Sequence, residues 1–122
     1  MITLEDYAMG RPIPSPLDQF ALLTVERANR LLSEFGEDRR VTSGYRTPAI
    51  NAATPGAAKR SKHMTCQAID LEDHDGDLDE WCIDNPGVLE RLGLWQEHPA
   101  ATKGWCHLQT VPPMSGRRVF YP

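Results

Sequence analysis

The sequence predicts an α+β domain. One well-spaced helical stretch lies in the first third of the chain, and several short β-like runs follow it without regular alternation. Ten prolines and nine glycines break the rest into short pieces, so much of the chain is loop.

Residues 1–14 read as an irregular lead-in with Gly10, Pro12 and Pro14. Ser15-Pro16 then looks like a helix cap followed by a first-turn proline. Phe20, Leu23, Ala28, Leu31, Leu32 and Phe35 keep helical spacing as a core-facing stripe, and Gly36 marks the stop. Arg40 to Ser43 is a short β-like run. Thr47 to Ala53 suits a second helix, with Thr47 capping and Pro48 just inside. Residues 54–62 read as a loop. Cys66 to Glu72 alternates as a strand does, with Ala68 and Asp70 on one face and Gln67, Ile69 and Leu71 on the other. Asp77 to Asp84 and Pro86 to Leu92 are two short helices. Leu94 to Glu97 and Trp105 to Gln109 are two strands joined by a loop with Pro99 and Gly104.

At 122 residues the chain is expected to form one domain over 1–122. Its formal net charge of −4 argues against a nucleic-acid partner, which needs a basic face. No apolar stretch approaches the ~20 residues that span a bilayer, so membrane insertion is not expected. The start, Met1 to Asp6, lacks the basic and apolar regions of a secretory signal, so synthesis in the cytoplasm is expected. Three cysteines, Cys66, Cys82 and Cys106, are too few and too odd a number for a disulfide framework.

Chemistry concentrates around His63. The stretch from Ser61 to Leu71 sets an imidazole at a loop end and Asp70 inside an apolar strand, between Ile69 and Leu71. A carboxylate there is costly to bury unless it is paired or bound to a cation. His107 sits in a second apolar strand between Cys106 and Leu108. Two histidines and a carboxylate from adjacent strands make a three-ligand zinc site with one position left for water.

Three blocks in order, S-G-Y-R-T-P (43–48), S-K-H-M-T-C-Q-A-I-D-L (61–71) and W-C-H-L-Q (105–109), resemble the zinc D-Ala-D-Ala carboxypeptidase and L-Ala-D-Glu endopeptidase family. That family includes dipeptidases and carboxypeptidases of vancomycin resistance and several bacteriophage endolysins. Its pattern is S-x-H-x-x-G-x-A-x-D with a later His, preceded by S-G-Y-R. The tail P-P-M-S-G-R-R-V-F-Y-P (112–122) looks like the phage-encoded subgroup.

The resemblance implies a small antiparallel sheet carrying the metal, with helices packed on one side. It implies that His63, Asp70 and His107 bind zinc. Arg46 would hold a substrate carboxylate or polarise the scissile carbonyl, which suits an always-charged planar fork of donors. Ser61 would hydrogen-bond the substrate or buttress His63. The implied partner is a peptidoglycan stem peptide, cut by a monomeric enzyme that reaches the wall through a holin or in a virion.

The chain departs from the family pattern at three places. The family's glycine after His-x-x is Cys66, a side chain where glycine usually marks an unusual backbone conformation or a close approach. Its thiol would either ligate the metal, cap the open position or sit as a small buried hydrophobe. The acidic residue that many relatives carry three positions before the last histidine is Gly104 here. A general base must then come from elsewhere, with Glu97 in the neighbouring strand as first choice and His98 as second. Gln109 stands two after His107, where some relatives carry an acidic or small residue.

The acidic run from Asp70 to Glu80 has the wrong register for a calcium loop, and a solvated turn capping the helix at Asp77, with His74 exposed, is the expectation. At least two of Trp81, Trp95 and Trp105 are expected in the core. The function implied is a zinc metallopeptidase acting on peptidoglycan stems. The alternative is a catalytically weak or inactive zinc-stabilised module that binds the wall.

Overall fold

Strands β1 (Val41–Ser43), β2 (Ala68–Asp73), β3 (Trp95–Glu97), β4 (Gly104–Gln109) and β5 (Val119–Phe120) join in the spatial order β1-β2-β4-β3-β5. The computed structural model describes residues 1–122. Five helices, α1 (Leu4–Ala8), α2 (Leu17–Phe35), α3 (Pro48–Ala53), α4 (Asp77–Asp84) and α5 (Pro86–Leu92), complete the α+β fold. No helix is long and apolar enough to cross a membrane.

The sheet is mixed rather than wholly antiparallel. β1/β2, β2/β4 and β3/β4 are antiparallel, but β5 runs parallel to β3. The tail after β4 travels back along the sheet before it pairs. Gln96 N then donates to Arg118 O at 2.8 Å and His98 N to Phe120 O at 2.7 Å. A two-residue strand in a Pro- and Gly-rich tail carries too little periodicity to be read from sequence.

Alternation along β2 and β4 divides the sheet into two faces. Ile69, Leu71, Cys106 and Leu108 point into one cluster of 19 buried apolar residues, which α2, α4 and α5 also feed. Asp70 and His107, directly paired in the register, point to the other face. That is the face free to hold a site.

Helix α2 ends as expected at Gly36, whose φ of 94° lets its N–H reach Leu32 O. Ala28, Leu31 and Leu32 are buried and Phe35 packs on the core as expected, whereas the start and the first half of the stripe differ. Pro16 occupies the N-cap with no side-chain cap bond, and the buried positions are Ala21, Thr24, Val25, Ala28, Leu31 and Leu32. Phe20 and Leu23 flank that stripe and remain exposed. Thr24 turns inward because its Oγ1 donates to Cys66 O at 2.7 Å, at the end of the turn that precedes β2.

The lead-in is not irregular throughout. Thr3 and Asp6 form a reciprocal capping box that starts α1. Asn29 clamps both backbone groups of Ile2, at 2.7 and 2.8 Å, and ties this segment to α2. Fully buried Tyr7 then reaches across to donate its hydroxyl to Ala68 O at 2.7 Å.

The acidic turn does cap α4, but through a buried residue. Asp73 accepts from Leu78 N at 3.0 Å and Asp79 N at 2.8 Å, while Arg39 bridges Asp73 and Asp77. His74 is exposed, as expected, against Glu72. Of the three tryptophans only Trp81 packs on the core, edge-on to Phe35; Trp95 and Trp105 stay half-buried. Both lie in β-strands at positions whose parity turns them away from the core.

Candidate metal centre

Strand pairing sets Asp70 opposite His107, and a 3-10 turn over Lys62–Thr65 carries His63 to the same place. One ligand atom from each of the three lies within 4.8 Å of the others. His63 Nε2 is 3.3 Å from Asp70 Oδ2, and His107 Nδ1 is 2.8 Å from Asp70 Oδ1. All three residues are buried.

The outer hydrogen bonds fix which nitrogen of each ring faces inward. His63 Nδ1 lies 2.8 Å from the carbonyl of Gly44, which can only accept, so Nδ1 carries the proton and Nε2 presents its lone pair to Asp70. His107 Nε2 lies 3.1 Å from Gln109 Oε1, and the amide nitrogen of Gln109 donates to Val111 O at 2.9 Å. The reverse amide orientation would press two carbonyl oxygens together. Nε2 of His107 therefore carries the proton and Nδ1 faces Asp70.

Two lone pairs aimed at one carboxylate repel it unless a positive charge lies between them. The donor set therefore fits a divalent cation, and neutral imidazoles backed by carbonyl acceptors are the usual way such ligands are held. The charge balance agrees. Burial would raise the Asp70 carboxyl, yet the two adjacent imidazoles hold it far below the usual carboxylate range. Burial would lower His107, yet Asp70 pulls it above the ordinary imidazole value. Both shifts favour the ionised Asp70 carboxylate, the form a metal ligand needs.

The S-G-Y-R segment supplies the next layer. Gly44 is required by a close approach: a Cβ there would drive into the carbonyl of Tyr7. That carbonyl accepts from Tyr45 N at 3.0 Å, so α1 seats the loop whose Gly44 carbonyl orients His63. Arg46 extends over the carboxylate, with Nη2 3.7 Å from Asp70 Oδ2. Ser43 Oγ accepts from its Nε at 3.1 Å and Asn51 Oδ1 from its Nη1 at 3.3 Å. Asn51, fixed in turn by donating to Ala58 O at 2.8 Å, is a supporting residue that sequence reasoning missed. Only its place one turn into a helix after S-G-Y-R could have marked it.

Ser61 caps the 3-10 turn, its Oγ accepting from His63 N at 3.2 Å. Of the two roles considered for it, this contact is the buttress. Glu97 reaches the centre from β3, with Oε2 3.9 Å from His107 Nδ1. Burial raises its carboxyl above the usual glutamate value, while the nearby His107 opposes that shift. His98 points elsewhere, stacked on Tyr121 at 4.3 Å. Gly104 pairs with Asp73 at the far end of β4, three register steps from His107. The carboxylate beside the centre thus comes from the neighbouring strand.

Cys66 adopts the left-handed conformation that its motif reserves for glycine, with φ of 58°. Its side chain is fully buried in the core cluster. Burial, partly offset by a hydrogen bond with Tyr7, pushes the thiol up to about 11. It is not among the converging ligand atoms. Of the readings considered, the small buried hydrophobe is the one realised. Cys106 also faces the core, opposite in parity to His107.

A family model described as Peptidase M15 matches residues 10–85, more than half of the chain. The matched segment includes Arg46, Ser61, His63 and Asp70; Glu97 and His107 lie beyond it. No curated protein and no solved structure matches the chain. With the match covering the S-G-Y-R and His-to-Asp blocks that build the centre, the chain belongs to the Peptidase M15 family.

Proposed function

We propose that the chain is a zinc-dependent peptidase that hydrolyses peptide bonds in the stem peptides of bacterial peptidoglycan. The observation that carries this reading is the convergence of two imidazole lone pairs on the Asp70 carboxylate, each imidazole oriented from behind by a carbonyl oxygen. His63 Nε2, Asp70 and His107 Nδ1 would hold the ion. Zinc in such a site supplies a Lewis acid and a water ionisable near neutral pH.

The chain's own groups supply the rest. Glu97, desolvated and beside His107, takes the proton of the attacking water on its carboxylate and delivers it to the leaving amine. Arg46, held rigid by Ser43 and Asn51, presents a fixed positive charge to the substrate's carbonyl or carboxylate. Delivery to the wall through a holin or within a virion, and a phage origin, belong to the same proposal.

The test is incubation of purified protein with peptidoglycan, with and without a chelator, followed by assay of new free amino groups. Release that the chelator abolishes supports a metallopeptidase. Tight wall binding without release would instead make the chain a binding module.

A further inference from the structure

The β3 strand that delivers Glu97 carries a second feature on the same face. Trp95 pairs directly with Gln109, whose side chain lies against His107, so the Trp95 ring shares the face of the metal centre. Over that ring, at 4.3 Å from its centroid, lies the guanidinium of Arg118. Arg118 Nη1 donates to Leu94 O at 3.0 Å, which fixes the fork in place. No Asp or Glu pairs with it, although it is half-buried. A half-buried guanidinium lying over an indole, with donors left over, suits a planar bidentate anion.

We infer that Arg118 and Trp95 form a substrate subsite that binds a carboxylate of the peptide being cut. Its place sets the spacing. Trp95 lies one strand across and two residues along from His107, about 8 Å between backbones. Extended peptide covers ~3.3–3.6 Å per residue, so the carboxylate sits about two residues from the scissile bond. With Arg46 on the opposite side of Asp70, the centre lies between two cations. The preferred substrate is therefore an acidic peptide, and this deepens the peptidase reading on which it rests.

The test uses the zinc-loaded full chain and a synthetic stem peptide with free carboxylates, plus analogues with each carboxylate converted singly to a carboxamide. One analogue is expected to show a KM about tenfold higher than the parent, with kcat within about twofold. In Arg118→Gln the parent should rise to that same KM, and Arg118→Lys should recover part of the difference. Calorimetric binding of the same peptides needs no turnover. A carboxylate preference that disappears in Arg118→Gln, without cleavage by the wild type, would uphold the subsite and discard the peptidase reading. Cleavage with equal KM for all analogues, or an Arg118→Gln that keeps the wild-type preference, overturns the subsite. Should that variant fail to fold, Arg118→Lys, which keeps the charge and loses the planar fork, takes its place. A carboxylate preference equal to the wild type's then overturns the subsite.

Discussion

Gln109 Oε1 accepts the Nε2 proton of His107 at 3.1 Å, and that one contact decides which nitrogen His107 turns toward Asp70. The amide cannot flip without facing the Val111 carbonyl oxygen to oxygen. Gln109→Leu should therefore free the imidazole to exchange tautomers and rotate, lowering zinc affinity by about tenfold to a hundredfold. Gln109→Glu, still an acceptor, should keep it. Competition against a chromophoric chelator reads both. Equal affinity in the Leu variant would remove Gln109 from the centre's support.

Glu97 lies 3.9 Å from His107 without belonging to the trio of ligand atoms. As proton carrier it predicts a loss of kcat of about 10²–10⁴-fold in Glu97→Gln, with bound zinc unchanged. Metal analysis beside steady-state kinetics separates the two effects. A near-normal kcat would end its role, and lost zinc would make it a ligand.

How much of this was legible in the sequence varies with the range of the force involved. Asp70 could be read because a carboxylate between Ile69 and Leu71 needs a partner wherever the strand lies. His63 and His107 followed from their neighbours in chain. Asn51, the Gln109 contact and the Arg118–Trp95 stack could not, because each depends on segments that only folding brings together. The first half of the α2 stripe was misphased for a related reason, while Ala28, Leu31, Leu32 and Phe35 lie where the spacing puts them. Phe20 and Leu23 look more hydrophobic than Ala21 and Thr24, yet the inward place of Thr24 rests on its bond to Cys66 O, a group distant in the chain. Helix α1 escaped notice because five residues carry almost no periodicity, although the Thr3–Asp6 capping box was in view.

Cys66 holds a left-handed backbone at φ of 58° while its thiol fills the core. Alanine there would lose packing and keep the strain; glycine would lose packing and release it. Glycine also adds freedom to the unfolded chain, which offsets part of the gain. The expected order is unusual: Cys66→Gly more stable than Cys66→Ala by about 0.5–1 kcal/mol. Urea unfolding of the zinc-free proteins measures it, and the opposite order would show that no strain resides there. Both variants should bind zinc as the wild type does, because the thiol lies outside the ligand trio.

Asp79 is buried on the core side, where its carboxylate accepts from Gln96 Nε2 at 2.9 Å and Thr102 Oγ1 at 3.0 Å. Burial raises its carboxyl above the usual aspartate value, and the hydrogen bonds from Gln96, Cys106 and Thr102 offset only part of that. The sign of the resulting pH dependence follows from where the proton is held. Below the unfolded value of about 3.9 both states keep the proton, and the contribution to stability is complete. As pH rises the unfolded chain ionises first, so stability falls until the folded carboxyl also ionises. Asp79→Asn removes this term, since a carboxamide does not titrate and can still meet Gln96 and Thr102. The stability of the wild type relative to Asp79→Asn should therefore decline as pH rises from about 4 toward neutrality. Paired urea titrations at several pH values measure that difference. A flat or rising difference would mean that the folded chain holds Asp79 ionised as readily as water does.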